Sequence, residues 1–169
     1  VGLPWGTKPR LILAHLNAEA LRTGSPVIEV EDSLCAFVER LGFSREGRTI
    51  RTVKDQLTRL AAAEIRLGVT LPEGRRQVQG HIVSGFELWQ PKDARQRVLW
   101  PSTVCLSHEY FASLAKHAVP LDARALVALS QNAMALDIYA WLAQRLHRIE
   151  PTEPARLPWP VLQQQFGQS

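Results

Sequence analysis

Residues 33–63, SLCAFVERLGFSREGRTIRTVKDQLTRLAAA, constrain the fold more than any other part of the chain. Leu34, Phe37, Val38 and Leu41 recur at i, i+3, i+4, i+7, the apolar stripe of a short helix, and Gly42 follows as its stop. Asp32 or Ser33 is the natural N-cap. Ser44–Gly47 reads as a turn, with Phe43 plugging the angle between two helices. From Arg48 to Ala62 a second helix gathers Ile50, Val53, Leu57, Leu60 and Ala61 on one side. Arg48, Arg51, Thr52, Asp55, Thr58 and Arg59 lie opposite. Two helices joined by a glycine turn, the second apolar on one face and cationic on the other, form the pattern of a helix-turn-helix.

The placement of charge says more than its total. Between Arg40 and Arg59 stand six cations and two acids, an excess equal to the +4 of the whole chain. Arginine can take guanine bidentately or neutralise phosphate, and threonine can reach base edges. An ordinary solvated helix face would carry the same residues, so the helix alone leaves both readings open.

Around this unit the sequence predicts an α+β domain. A helix is expected from Lys8 to Leu21, begun by Leu3-Pro4-Trp5-Gly6, capped by Thr7 and facing inward through Ile12, Leu13, Leu16 and Ala20. His15 within it reads as a structural histidine. Val27, Ile28 and Val30 make a short strand. After the helix pair comes an expected β-meander: Ile65–Leu71, a basic turn over Pro72–Arg76, a long strand Gln77–Trp89 bent at Gly80 or Gly85, and a strand Arg97–Cys105. Pro101 in the last strand calls for an edge or a bulge. Helix, strand, helix, turn, helix, hairpin is the order of a winged helix, whose wing tip would be Arg75-Arg76. Further helices are expected over His108–Lys116 (capped by Ser107), Ala123–Leu129 and Ala133–Ile149.

The expected division is a winged-helix domain over 1–149, a proline-rich linker over 150–160 and the start of a second such domain at 161–169. Leu157-Pro158-Trp159 repeats Leu3-Pro4-Trp5 ahead of a helical segment Val161–Phe166, as a fragment ending inside a tandem repeat would. With 46% hydrophobic residues a packed core is expected. Cys35 and Cys105 read as thiols of a cytoplasmic protein, and no apolar run approaches the roughly 18–20 residues of a membrane span. Gly6-Thr7-Lys8 has phosphate-loop letters in the wrong order, and His108-Glu109 lacks the second histidine of a zincin. The five histidines and two cysteines have no zinc-ligand spacing, so neither catalysis, metal nor cofactor is expected.

Leu3-Pro4-Trp5-Gly6 with Pro9–Leu13, Ser33-Leu34 with Phe37 and Leu41-Gly42, Gln56-Leu57 with Arg59-Leu60, and Leu136–Tyr139 with Trp141-Leu142 and Arg145-Leu146 resemble the plasmid-encoded RepA-type replication initiators. The pattern departs at Glu31 and Glu46, where glycine is expected, and at Ala61, where an aromatic is usual. The resemblance implies a protein that binds repeated double-stranded sites in a plasmid origin through tandem winged-helix domains and recruits host replication proteins. It also implies that the meander of this first domain serves a homodimer. Arg48, Arg51, Thr52, Asp55 and Arg59 would then face the major groove, and Arg45, Lys54, Arg75 and Arg76 would neutralise phosphates. A winged-helix transcriptional regulator and a protein-interaction module with a merely solvated basic helix are the competing readings.

Overall fold

The computed structural model describes residues 2–30, 34–71, 74–89, 100–150, 152 and 156–167, with the side chains of 66–78 and 86–102 outside that set. Its elements run α1 Thr7–Thr23, β1 Val27–Glu29, α2 Leu34–Arg40, α3 Gly47–Ala62, β2 Glu64–Leu71, β3 Gly74–His81, β4 Val83–Trp89, β5 Trp100–Leu106, α4 His108–His117, α5 Ala123–Ala128, α6 Ala133–Leu146 and α7 Trp159–Phe166. The fold is therefore α+β with small antiparallel sheets.

The first compact unit, Val1–His117, is organised by helix ends that the sequence encodes locally. Gly24 and Gly42 take φ of 67° and 79°, the left-handed values that end α1 and α2. At Gly42 the closure is a full Schellman motif: its N–H donates to Glu39 O at 2.8 Å and the Phe43 N–H to Val38 O at 3.1 Å. Phe43, half-buried, sits in the corner so made, and the Lys8 ammonium lies 5.1 Å from its ring centroid. The expected cap at Thr7 is replaced. Gly6, at φ 75°, holds the N-cap position without a side-chain bond, and Thr7 is already helical.

The core of this unit joins Ile12, Leu16 and Ala20 of α1, Phe37 and Val38 of α2, and Val53, Leu57 and Leu60 of α3 to the sheet residues Ile28, Val83, Val104 and Leu106. His15 sets its ring edge-on to Phe37, with centroids 5.6 Å apart, which is the structural role expected of it.

The meander is corrected by the sheet topology. Strands order as β1-β5-β4 in one sheet, while β2 and β3 form a separate two-stranded sheet among the described residues. The expected long strand Gln77–Trp89 is thus two strands in two sheets, broken at Ile82, and the bend expected at Gly80 or Gly85 has its counterpart in a register irregularity between Val83 and Gly85. Ile82 and Val83 are both 5% exposed. Adjacent residues of a pleated strand face opposite sides, so burying both in one core requires the chain to turn between them. The expected turn over Pro72–Arg76 is shorter too, because β3 already begins at Gly74, which pairs with Leu71. Pro101 does lie at an irregularity: Thr103 pairs with Glu87 but Pro101 with Leu88, so one strand carries an extra residue. The expected N-caps Asp32 and Ser33 and the strand start at Arg97 lie outside the described residues.

Ser107 begins α4 as expected, accepting the Tyr110 N–H at 3.2 Å while its hydroxyl donates to His81 O at 2.6 Å. Tyr110 in turn donates to Asn17 Oδ1 at 3.1 Å, fastening α4 to α1.

Compact units divide after His117, where the sequence reading placed its boundary at 150–160. The second unit, Ala118–Ser169, holds α5, α6 and α7. Asp122 caps α5, accepting the N–H groups of Arg124 and Ala125 at 2.7 and 3.4 Å, and Asn132 caps α6 at 3.0 Å. α6 ends at Leu146 and not Ile149, and α7 starts at Trp159, inside the stretch read as linker. Phe166 of α7 meets Trp141 of α6 edge-on at 5.6 Å, and the Arg145 guanidinium lies 5.3 Å from the same indole.

Candidate nucleic-acid interface

α3 packs against α1, α2 and β4, and its sequence divides sharply between two sides. At 100° per residue the buried Val53, Gln56, Leu57 and Leu60 span an arc of about 100°. Arg48, Arg51, Asp55 and Thr58 project from the far side, with Thr52 and Arg59 on one flank and Lys54 on the other.

Arg48, Arg51 and Lys54 are exposed, and among the described residues none of the three side chains has an ion-pair or hydrogen-bond partner. Such groups keep all their donors for an external anion. Thr52 and Thr58 turn their hydroxyls back on the helix, donating to Arg48 O at 2.8 Å and Lys54 O at 3.0 Å. Their methyls and remaining lone pairs stay outward.

Two of the expected cations are already engaged. Arg59 Nε donates to Asp55 Oδ2 at 2.8 Å, an i, i+4 pair in which the arginine side chain is 26% exposed. Arg45, in the turn between α2 and α3, pairs with Glu39. Hydrogen bonding from Arg45 holds the Glu39 carboxyl below the usual glutamate range. Both pairs are solvated enough to open at little cost. Arg75 and Arg76 are ladder residues of β3, opposite Thr70 and Val69, and not turn residues; their side chains lie outside the described set.

The geometry adds one residue that the periodicity passed over. Gln56 is fully buried, its Oε1 accepting the Trp5 N–H at 2.8 Å and its Nε2 donating to Asp55 Oδ2 at 3.1 Å. Its signal was present in the sequence: position 56 sits beside Leu60 and Val53 at the edge of the apolar arc, where a polar side chain needs a partner.

Arg48, Arg51 and Lys54 come together on one exposed helix face beside a rigid turn, an arrangement suited to polyanion contact. Among the described residues no group of three His, Cys, Asp or Glu could hold a metal ion, and no helix is long and apolar enough to cross a membrane.

Comparison with curated proteins and with solved structures returned no match. The family model described as "Plasmid encoded RepA protein" matches residues 3–159. A match over nearly the whole chain, carrying the helix pair, both sheets and α4 to α6, shows that this chain belongs to the plasmid-encoded RepA family of replication proteins.

Proposed function

We propose that this chain is the double-stranded-DNA-binding domain of a plasmid replication initiator and that α3 enters the major groove of repeated sites in the origin. The observation that carries the proposal is the exposed, unpaired trio Arg48, Arg51 and Lys54 on a helix whose opposite face is locked into the core. Charge placed on a buttressed helix costs little reorganisation on binding, which is what base reading requires. The order α1, β1, α2, α3 followed by the sheet β1-β5-β4 supports a winged-helix reading, with the β2–β3 ribbon spliced in after α3.

Arg48 and Arg51 serve as groove-facing residues within reach of both base edges and the phosphates that line the groove, Thr52 as a groove-facing residue beside them, Asp55 and Arg59 as a coupled pair at its edge, and Arg45, Lys54, Arg75 and Arg76 as phosphate contacts. The reading is non-catalytic, needs no cofactor and places the protein in the cytoplasm, with host replication proteins as further partners. A footprint of the full-length protein on the DNA flanking its gene tests it. Protection of tandem direct repeats supports an initiator; protection of a lone palindrome favours a transcriptional regulator, and none anywhere removes DNA binding.

A second reading, self-association, draws on α6, where Met134, Leu142 and Leu146 are 47%, 40% and 68% exposed along one i, i+4 ridge. Sedimentation of the protein with and without Leu142→Glu tests it: a homodimer through this ridge becomes monomeric.

A further inference from the structure

The segment before α1 is fastened to α3 by a chain of polar contacts spanning more than fifty residues of sequence. Trp5 N–H is held by the buried Gln56 at 2.8 Å. Gln56 is bonded to Asp55, Asp55 to Arg59, and Arg59 Nη1 reaches Leu3 O at 3.5 Å. A Cβ on Gly2 would come within 2.5 Å of that same Nη1, so the segment runs directly against the guanidinium. Gln56, Arg59 and Asp55 succeed one another around α3 from its buried edge towards its outer face. Residues 2–5 therefore lie along that flank, at the level of Gln56 and Arg59. Yet the two large apolar side chains of the segment are not spent on packing: Leu3 is 81% and Trp5 60% exposed.

A buried glutamine used to hold a backbone, while the adjacent indole is left in solvent, presents an aromatic side chain on an immobilised support. We propose that Leu3 and Trp5 form a fixed arm that contacts the sugar-phosphate backbone of the duplex beside the groove occupied by α3, with Gln56 as the positioning residue. The inference rests on the proposed DNA-binding reading of α3. The indole N–H is a donor suited to a phosphate oxygen, and the ring and Leu3 offer apolar surface to deoxyribose. Such contacts fix register without reading sequence. The cations of α3 select this occupant over an apolar one, because the arm lies against Arg59 on the same helix that carries the exposed Arg48, Arg51 and Lys54.

The test uses the full-length protein labelled with fluorotryptophan and a short mixed-sequence duplex at low salt. The Trp5 fluorine resonance is identified by its loss in Trp5→Phe. In free protein a soluble gadolinium chelate relaxes it; on adding duplex the arm predicts that it becomes protected. Trp5→Ala should weaken duplex binding about tenfold, the size of one hydrogen bond to a charged group, without lowering the melting temperature. Gln56→Leu should weaken it comparably although Trp5 is still present. A Trp5 resonance that stays accessible in the complex overturns the proposal, as does unchanged affinity in Trp5→Ala. If Arg51→Ala weakens binding while Trp5→Ala does not, the arm fails and the α3 reading stands. If neither substitution matters, both fail.

Discussion

Replacing Arg51 and Lys54 together by alanine removes two of the three exposed, unpaired cations of α3 and leaves its buried face intact. Each phosphate contact releases counterions equivalent to about 0.9 in the slope of log K against log salt. Arg48, Arg51 and Lys54 alone set that slope near −2.7. If the Arg59–Asp55 and Arg45–Glu39 pairs open onto phosphates as well, it reaches about −4.5, before any share from Arg75 and Arg76. The double variant should flatten the slope by about 1.8 and, at about 0.15 M salt, weaken binding about 30-fold. Fluorescence anisotropy of a labelled duplex across a salt series measures both numbers. Arg22→Ala, which removes an arginine paired with Glu19 on α1, is the control and should leave the slope unchanged. An unaltered slope in the α3 double variant would refute the assignment of this face to the phosphate backbone.

Other expectations follow from the same contacts. Asp55→Asn frees Arg59 and removes a carboxylate from the proposed interface, so affinity for random duplex should rise while discrimination between sequences falls, as read by competition binding. Gly42→Ala puts a side chain at φ 79° and should cost about 1 kcal/mol in denaturant unfolding, since the left-handed turn between α2 and α3 admits other residues poorly. Phe37→Ala, which empties a site 1% exposed beneath His15, should cost about 3–5 kcal/mol. Burial raises the Tyr110 hydroxyl above its ordinary value of 10.0, the bond to Asn17 only partly opposing this. Its stabilising effect is thus full below pH 10.0 and lost as pH climbs through the higher folded-state value, a loss that Tyr110→Phe should abolish in melts taken at high pH.

The helix pair could be read from sequence because its determinants are local. The stripe of α2, the left-handed glycine and the stripe of α3 each act within a turn or two of chain. Ser107 was legible as a cap for the same reason. Sheet partners were not. Nothing within Gln77–Trp89 says that β3 pairs back onto β2 while β4 joins β1 and β5, because that choice is made by contacts distant in sequence. The doublet Ile82-Val83 was the one local hint, as two successive buried residues break the alternation of a strand.

The candidate face shows the same limit. Periodicity placed Arg48, Arg51 and Arg59 on the outside alike, yet only the folded chain distinguishes free cations from Arg59, which Asp55 and Leu3 O engage. Gln56 was hidden because its partner, the Trp5 N–H, lies 51 residues away.

The central claim is that the outer face of α3 lies in the major groove of origin DNA. Directed cleavage tests it most directly. Cys35, which is exposed, and Cys105 are first changed to serine, and Arg51→Cys is introduced and loaded with an iron chelate that generates hydroxyl radicals. The account predicts strand breaks confined to the protected repeats and offset in the direction that marks a source in the major groove. Cleavage spread evenly along the DNA, or a minor-groove offset, would contradict it.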